Sequence, residues 1–478
     1  MKSLGRSAVG AGVVALVATC GPREASAAGF ASARFGGEHG SVVETNPTAL
    51  YYNPGAIAFS TGIDLMLDGQ IAMRHTTWSH TAPQPDPTRG EDPNSQVGNS
   101  GHASAFNVFG GPAMGATMKL GNFAFGAGLF VPFGGRVSWA KNSQLDAQTV
   151  KTFPQTVDGV QRWDIIDGAL TFIQATVGAA YKLGPLSIGV SGNFIASSIT
   201  ENRAKNPYGT GLPDTTSEGR AKLDVSGNNG SFGVGAMFEA VPDRLWLGAS
   251  YQAQPGLGPQ TLHGSLDIKF PPPSPDTLHQ QVTFTQALPD IVRAGARWRV
   301  NETLELRVFG DYTRWSVMKA QCIANRKAVD QSIADRDCKV FPNGADASGG
   351  FVLANFPRNW NDTYGARLGG SYWVKPEIEV FAGLGYETAA TTDAFIDQAT
   401  MDANNVGVAL GGRFFLLDSF YLAASYTHLQ FFDRDNTGKS QLESINGVGV
   451  SNPTAQQDAG GKYTQWIGIF DVNVEKRF

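Results

Sequence analysis

Many stretches of about ten residues in this chain alternate between apolar and polar side chains, the period of a β-strand whose two faces meet different surroundings. Val292, Ala294, Ala296, Trp298 and Val300 share one face, and Arg293, Gly295, Arg297 and Arg299 share the other. Leu304, Leu306, Val308 and Tyr312 oppose Glu305, Arg307, Asp311 and Thr313 in the same way. Ile378, Val380, Ala382, Leu384 and Tyr386 oppose Glu377, Glu379 and Glu387. In the last stretch Trp466, Gly468, Phe470, Val472 and Val474 oppose Gln465, Asp471, Asn473, Glu475 and Arg477. A soluble sandwich also alternates, with its polar face in water and its apolar face in a core. The number of these stretches, their length and the terminal aromatic residue separate the two cases. They predict an all-β fold, a transmembrane antiparallel β-barrel, because lipid offers the backbone no hydrogen-bond partner and only a helix or a closed sheet can cross it.

Short turns and long polar links take turns along the chain. The short ones fall at 120–122, 183–185, 241–243, 301–302, 375–377 and 417–419; the long ones at 81–101, 134–168, 201–219, 319–357 and 433–461. Outer-membrane barrels place short turns in the periplasm and long loops outside, and counting hairpins on that rule predicts about fourteen strands. The first is expected over 62–75 and the last over 463–478.

Composition fits this picture. The chain has 478 residues, 42% hydrophobic and only 17% charged, with 58 Gly and 29 Phe, which suit twisted strands and aromatic girdles. A soluble chain of this length would divide into two or three domains, whereas one barrel uses it whole. The net charge of −5 gives no reason to expect nucleic acid as a partner. At the N-terminus Lys2 and Arg6 precede a short apolar run from Ala8 to Ala18, and Ala25-Ser26-Ala27 has the form of an export cleavage site. Residues 1–27 are therefore read as a signal peptide. A competing reading makes Cys20 a lipidated residue, though the Thr19 before it suits that poorly. Beyond the signal only Cys322 and Cys338 remain; a disulfide between them fits an oxidising compartment, and two free thiols in a loop are the alternative. Their spacing matches no metal pattern, and no metal or cofactor is expected.

Residues 28–61, before the first strand, are rich in Gly, Ala and Asn and run into Asn46-Pro47-Thr48-Ala49-Leu50-Tyr51-Tyr52-Asn53-Pro54-Gly55. A loose tail with two Asn-Pro turns fits poorly with the apolar residues between them. This segment resembles the N-terminal hatch of the FadL/TodX family, with Asn53-Pro54-Gly55 where the family has Asn-Pro-Ala; the Gly is expected to loosen the turn. Other stretches are similar to family motifs in the same order: Val131-Pro132-Phe133-Gly134-Gly135-Arg136, Leu288-Pro289-Asp290, Asp311-Tyr312-Thr313-Arg314-Trp315-Ser316, and Asn361-Asp362-Thr363-Tyr364 with Arg367-Leu368-Gly369-Gly370-Ser371-Tyr372. The resemblance implies a hatch (28–61) plugging a fourteen-stranded barrel (62–478) in the bacterial outer membrane. It also implies passive carriage of long-chain fatty acids or aromatic hydrocarbons, with lateral release beside a kink in the third strand.

In that strand Phe123, Phe125, Ala127, Leu129 and Val131 are expected to face lipid, and Ala124, Gly126, Gly128, Phe130 and Pro132 to face inward. The two glycines and the proline weaken a strand and suit a kink. Phe133, Trp139, Phe153 and Trp163 are candidates for a hydrophobic capture surface, or equally for loop packing. Arg293, Arg297, Arg299, Arg307, Arg367, Glu305, Asp311, Glu377 and Glu379 fall on the inward parity, where they either line a salt-bridged lumen or meet a carboxylate headgroup. Outer-membrane lipid, lipopolysaccharide and, through the C-terminal Phe478, the barrel-assembly machinery are the expected partners. A general porin and a barrel lipid hydrolase are the alternatives, but no G-x-S-x-G or H-E-x-x-H motif is present, and the chain is read as no enzyme.

Overall fold

A computed structural model describes residues 34–85, 88, 91–208, 213–271, 273–326, 352–417, 419–442 and 458–478. The signal segment and Cys338 lie outside the described residues. Fourteen antiparallel strands follow one another around a closed sheet. They are β1 (Ile63–His80), β2 (Gly101–Leu120), β3 (Phe123–Ser138), β4 (Asp167–Leu183), β5 (Leu186–Lys205) and β6 (Gly219–Val241). Four two-part strands come next: β7 (Leu245–Gln252, Gln260–Lys269), β8 (Thr277–Gln286, Ile291–Arg299), β9 (Leu304–Thr313, Ala320–Asn325) and β10 (Val352–Pro357, Thr363–Lys375). The last are β11 (Ile378–Glu387), β12 (Asn405–Leu417), β13 (Phe420–Phe431) and β14 (Lys462–Arg477). β14 pairs back on β1 from Asp64↔Arg477 to Ser79↔Lys462, which closes the sheet between first and last strands. Phe478 completes the seam: its N–H donates to the Ile63 carbonyl at 2.9 Å, and it accepts from the Ile63 N–H at 3.3 Å.

Alternation places side chains as the pattern predicts. Leu384 is 61% exposed on the lipid face of β11, while Glu379 of the same strand is 2% exposed inside. Most strands are longer than ten residues, however, and parts of the 134–168, 201–219 and 319–357 links pair as strands. The extra length is explained by what it covers. Inward-facing Phe172, Ile195, Leu223, Leu262, Phe284 and Phe356 form one buried cluster, so the upper sheet folds around an apolar core of its own. The four two-part strands break at neighbouring points, and the breaks turn Leu288, Trp315, Met318 and Trp360 into that core.

The long-loop end is tied together by a buried guanidinium. Arg162, fully buried, donates through Nε to Glu218 (2.8 Å), through Nη1 to the Gly98 carbonyl (2.7 Å) and through Nη2 to Asn99 Oδ1 (2.8 Å). One side chain thus holds three connections that share no backbone ladder.

Residues 34–61 fold inside the barrel as three short helical turns, Gly37–His39, Ala49–Tyr52 and Pro54–Phe59. Asn53 organises them. Its Nδ2 donates to the carbonyls of Val42 (2.7 Å) and Ala236 (2.9 Å), and its Oδ1 accepts from the Gly55 N–H (3.0 Å). Gly55 does not loosen this turn. Its Cα lies so near β6 that a Cβ would stand 2.6 Å from the Gly235 carbonyl oxygen, and a Cβ on Gly235 would in turn strike Asn53 Oδ1. Glycine at both positions lets two backbones touch. Two wall hydroxyls complete the seat: Ser187 Oγ donates to the Gly55 carbonyl (2.7 Å) and Ser250 Oγ to the Tyr52 carbonyl (2.5 Å).

Two outcomes are expected. Gly235→Val will displace the plug while the barrel still closes, so the variant keeps heat-modifiable migration on gels but raises cellular permeability to large antibiotics. Arg162→Ala will leave Glu218 to Arg220 alone and the Gly98 carbonyl and Asn99 Oδ1 without this donor, at a cost of about 1–3 kcal/mol, read as faster proteolysis of the long loops with the strands intact.

Candidate functional site

The plug is held in the lumen by two kinds of contact. Its first part is ionic. Glu44 meets Arg297 (3.1 Å) and Arg307 (3.4 Å), His39 Nε2 bonds Glu379 (2.8 Å), and the Gly36 N–H donates to Asp68 (2.6 Å). Burial alone would raise the Glu44 carboxyl, but Arg297 and Arg307 outweigh it and hold the group below the usual carboxylate range. The second part is apolar: Leu50, Tyr51, Tyr52 and Ile57 pack with Ala113, Phe130, Met237 and Phe309 of the wall.

Above the plug lies a chamber of about 100 Å³. Its floor is Tyr51 and Tyr52, and Trp315, Trp360, Leu429 and Phe431 form apolar sides. Arg293, Asp311 and Arg367 reach in from β8, β9 and β10. Arg293 lies 4.7 Å over the Tyr51 ring and donates to Gln252 Oε1 at 3.1 Å; Arg367 lies 4.3 Å over Phe309. Among the described residues neither guanidinium takes part in a direct salt bridge, although the carboxylates of Asp311 and Glu387 line the same chamber. The roof is Ala390, Thr400, Met401 and Asp402, from the connection between β11 and β12. Burial pushes the Asp402 carboxyl up to about 6, against the opposing pull of the Ala390 N–H and Arg434.

Beside the chamber the wall is not continuous. The β2–β3 ladder runs from Leu120↔Phe123 only as far as Met114↔Leu129. Beyond it β2 stays paired to β1 and β3 to β4, but not to each other. The β3–β4 register slips between Phe130 and Phe133, where three steps on β3 match two on β4. This one-residue bulge reverses the inward parity: Phe130 is buried before it, and Phe133 and Val137 after it. Pro132, expected on the inner face with Phe130, is buried there and lies within the bulge. Pro112 on β2 and Pro132 on β3 carry no N–H, which reduces the donors left without partners along the break. The break closes again where the Ser138 N–H donates to Asn107 Oδ1 and the Ala140 N–H to the Ser104 carbonyl, both at 2.9 Å.

Sequence reasoning named some of these residues and missed others. Gly126 lies against Leu50 of the plug, and Gly128 sits under the Phe130 ring, which meets Phe35 and Tyr51 at 5.3 and 5.7 Å. Of the four aromatic candidates Phe133 packs in the upper apolar cluster, 6.2 Å from Trp315 of the chamber wall. Trp139 and Trp163 are buried in the loops, the latter donating to Asn99 Oδ1 at 2.9 Å, and Phe153 is half-buried there. Arg299 and Glu377 are exposed at the short-turn rim rather than inside. Cys322 is buried on β9 and is not a free thiol. Trp360, Leu429, Phe431 and the roof residues had no distinguishing signal, since only the closed fold brings them together.

A family model described as outer membrane protein transport protein (OMPP1/FadL/TodX) matches residues 13–451. In fold the chain is similar to the crystal structure of a Pseudomonas aeruginosa FadL homologue (TM-score 0.72, 17% identity, 95% of this chain and 99% of that one). It is also similar to the P. putida toluene transporter TodX (TM-score 0.62, 14% identity, 94% and 98%) and the Ralstonia pickettii toluene transporter TbuX (0.59, 15%, 94% and 98%). A Neisseria meningitidis protein is 24% identical over 111 residues, and that alignment spans only 24% of its length. With a closed fourteen-stranded barrel, a plugged lumen and a family match along most of its length, the chain belongs to the OMPP1/FadL/TodX family of outer membrane transport proteins.

Proposed function

We propose that this protein carries hydrophobic small molecules inward across the outer membrane and releases them sideways into the membrane at the break between β2 and β3. The long-loop end is taken as extracellular. One observation carries the reading: the apolar sides of the chamber run on to both borders of the break. Leu429 and Phe431 pack in one cluster with Phe109 of β2, and Tyr51, on the chamber floor, packs on Phe130 of β3. A greasy molecule leaving the chamber along this path stays against carbon. Straight passage downward would take it past the ionic half of the plug, where Glu44, Arg297, Arg307, His39 and Glu379 crowd the lumen with polar contacts. On the lipid side the break opens beside a broad apolar concavity lined by Leu65, Met114, Ala127, Leu129 and Val177.

The chamber also favours one cargo class. A plain hydrocarbon needs no charge, yet Arg293 and Arg367 stand there without salt-bridge partners, and a guanidinium binds a carboxylate through two parallel hydrogen bonds. Long-chain fatty acids therefore fit this chamber better than toluene, the cargo named for the relatives TodX and TbuX. A general porin would keep a water-filled lumen, whereas here the plug and the apolar cluster fill it. Phe478, exposed at the end of β14, is the residue through which assembly machinery would recognise the chain.

Uptake of oleate and of toluene by cells lacking their own carrier tests the proposal. Oleate entry is expected, and R293A/R367A together will lower it about tenfold or more, in line with loss of charged hydrogen bonds, without altering toluene entry. Equal loss for both cargoes would remove the arginines from headgroup binding, and no entry of either would overturn the transport reading. Deleting residues 28–61 is expected to leave a leaky or inactive barrel; unchanged uptake and unchanged small-solute permeability would show that this segment is no hatch.

A further inference from the structure

The chamber of about 100 Å³ is smaller than the 300–1,000 Å³ typical of pockets for drug-sized ligands. The plug lies below it and the connection between β11 and β12 above it. An extended amphiphile cannot occupy it until one of these surfaces moves. The plug backbone is seated between glycines of the wall, with no room to shift by small steps. The roof is attached differently.

We propose that the β11–β12 connection, residues 388–404, is the extracellular gate of the chamber, and that cargo enters when this connection lifts as a unit from two arginine clasps. Arg434, just after β13, is the outer clasp. Its Nε donates to Asp393 (2.8 Å), its Nη1 to Thr391 Oγ1 and the Asp402 carbonyl (both 2.9 Å), and its Nη2 to the Thr391 carbonyl (2.9 Å). Arg358, between the two parts of β10, is the inner clasp. Its Nη1 donates to Asp397 (2.5 Å) and Thr400 Oγ1 (3.1 Å), and its Nε is held by Gln321 at 2.8 Å.

The connection has the internal bonding of a rigid body. Asp397 Oδ1 accepts from the N–H groups of Ala399 (3.1 Å) and Thr400 (2.8 Å). Asp402 accepts from the Ala390 N–H (2.7 Å), and Asn404 Oδ1 from the Ala389 N–H (2.8 Å), so the two ends are tied across the hinge. These bonds travel with the segment when it lifts. The bonds that must break are mostly side-chain ones: the two clasps, the Lys439–Asp393 pair (3.0 Å), Asn436 Nδ2 to the Asp393 carbonyl (2.9 Å), Gln398 to the Tyr463 hydroxyl (3.0 Å) and the Thr76 Oγ1 contact to Met401 Sδ (3.0 Å). Two backbone bonds part with them, from the Gln441 N–H to the Ala394 carbonyl (2.9 Å) and from the Asn361 N–H to the Ala390 carbonyl (2.8 Å). The apolar contacts that must part are those of Ile396 and Met401 with Trp78, Trp139, Ile165 and Tyr463. A strand of the wall could not move this way, because it would open a ladder in lipid.

The gate is tested independently of the cargo. Thr313, buried and lining the chamber, is replaced by Cys (T313C), and intact cells are treated with a membrane-impermeant methanethiosulfonate. Labelling is counted against the same chain without the substitution, since Cys322 and Cys338 are native. Slow labelling of T313C is expected, rising about tenfold or more when R434Q or R358Q is added to a barrel that still shows heat-modifiable migration. If neither clasp variant changes the rate, the connection is not the gate. A second experiment avoids weakening the fold: T76C with M401C is cross-linked by a short bis-methanethiosulfonate. Oleate uptake should fall to background when mass spectrometry shows the bridge, and return on reduction, with reductant-treated unmodified protein as the reference. Uptake that persists with the bridge formed overturns the gate. This second test rests on the transport reading; if no chain takes up oleate while the T313C rates respond to the clasps, the gate stands and the cargo assignment falls.

Discussion

Every backbone N–H and C=O that passes through hydrocarbon must find its partner within the protein, because lipid supplies none and each unsatisfied group costs about 1–3 kcal/mol or more. The arrangement of this chain follows from that demand. The fourteen strands close by pairing β14 on β1 over sixteen positions from Asp64 to Ser79, and even the terminal Phe478 spends its N–H and carbonyl on Ile63. The same demand explains why a break in the wall is informative. Between β2 and β3 the ladder stops over about seven residues, and the chain meets the cost with prolines, a bulge and a side-chain cap from Asn107. A defect supported at both ends by specific contacts belongs to the design of the fold.

Inside the barrel the problem is reversed. The lumen would hold water, and the plug must displace it while leaving a space that suits greasy cargo. Chemistry is divided along the plug to do both. Glu44 and His39 are matched by Arg297, Arg307 and Glu379, so ion pairs occupy part of the lower lumen. Tyr51 and Tyr52 line the chamber from below. Arg293 and Arg367 sit at the junction, stacked on Tyr51 and Phe309, where a headgroup would meet the polar half and a hydrocarbon tail the apolar half.

The three boundaries of the chamber differ in how they could yield. The plug is seated backbone to backbone, the wall is a ladder, and the roof hangs largely on arginine side chains. The part-exposed pairs of Asp393 with Arg434 and Lys439 exchange for water at modest net cost, whereas the buried Arg358–Asp397 pair is the stronger hold on the roof. This ordering of strengths makes entry from outside and exit sideways compatible with a barrel that never opens its ladder.

Much of this was legible before any coordinates. Period-two alternation around Arg293, Arg307 and Glu379 sorted lipid from lumen, because side chains on a strand have only two directions to take. The turns at Gly121 and Gly184, both at φ +60°, were marked by the residue itself. Asn53-Pro54-Gly55 announced a tight turn, though not that Gly55 serves contact with Gly235, which lies 180 residues away. The parity flip at the bulge defeated the simple alternation: one inserted residue sends Pro132 into the bulge and Phe133 inward, and no local pattern distinguishes that from a straight strand. Trp139 and Trp163 looked like capture aromatics because sequence records size and polarity but not neighbours. The chamber, its roof and its two clasps arise only from closure, which brings Arg358, Asp397 and Arg434 together from three connections. Local periodicity determined the faces of the strands; long-range contact alone decided what those faces enclose.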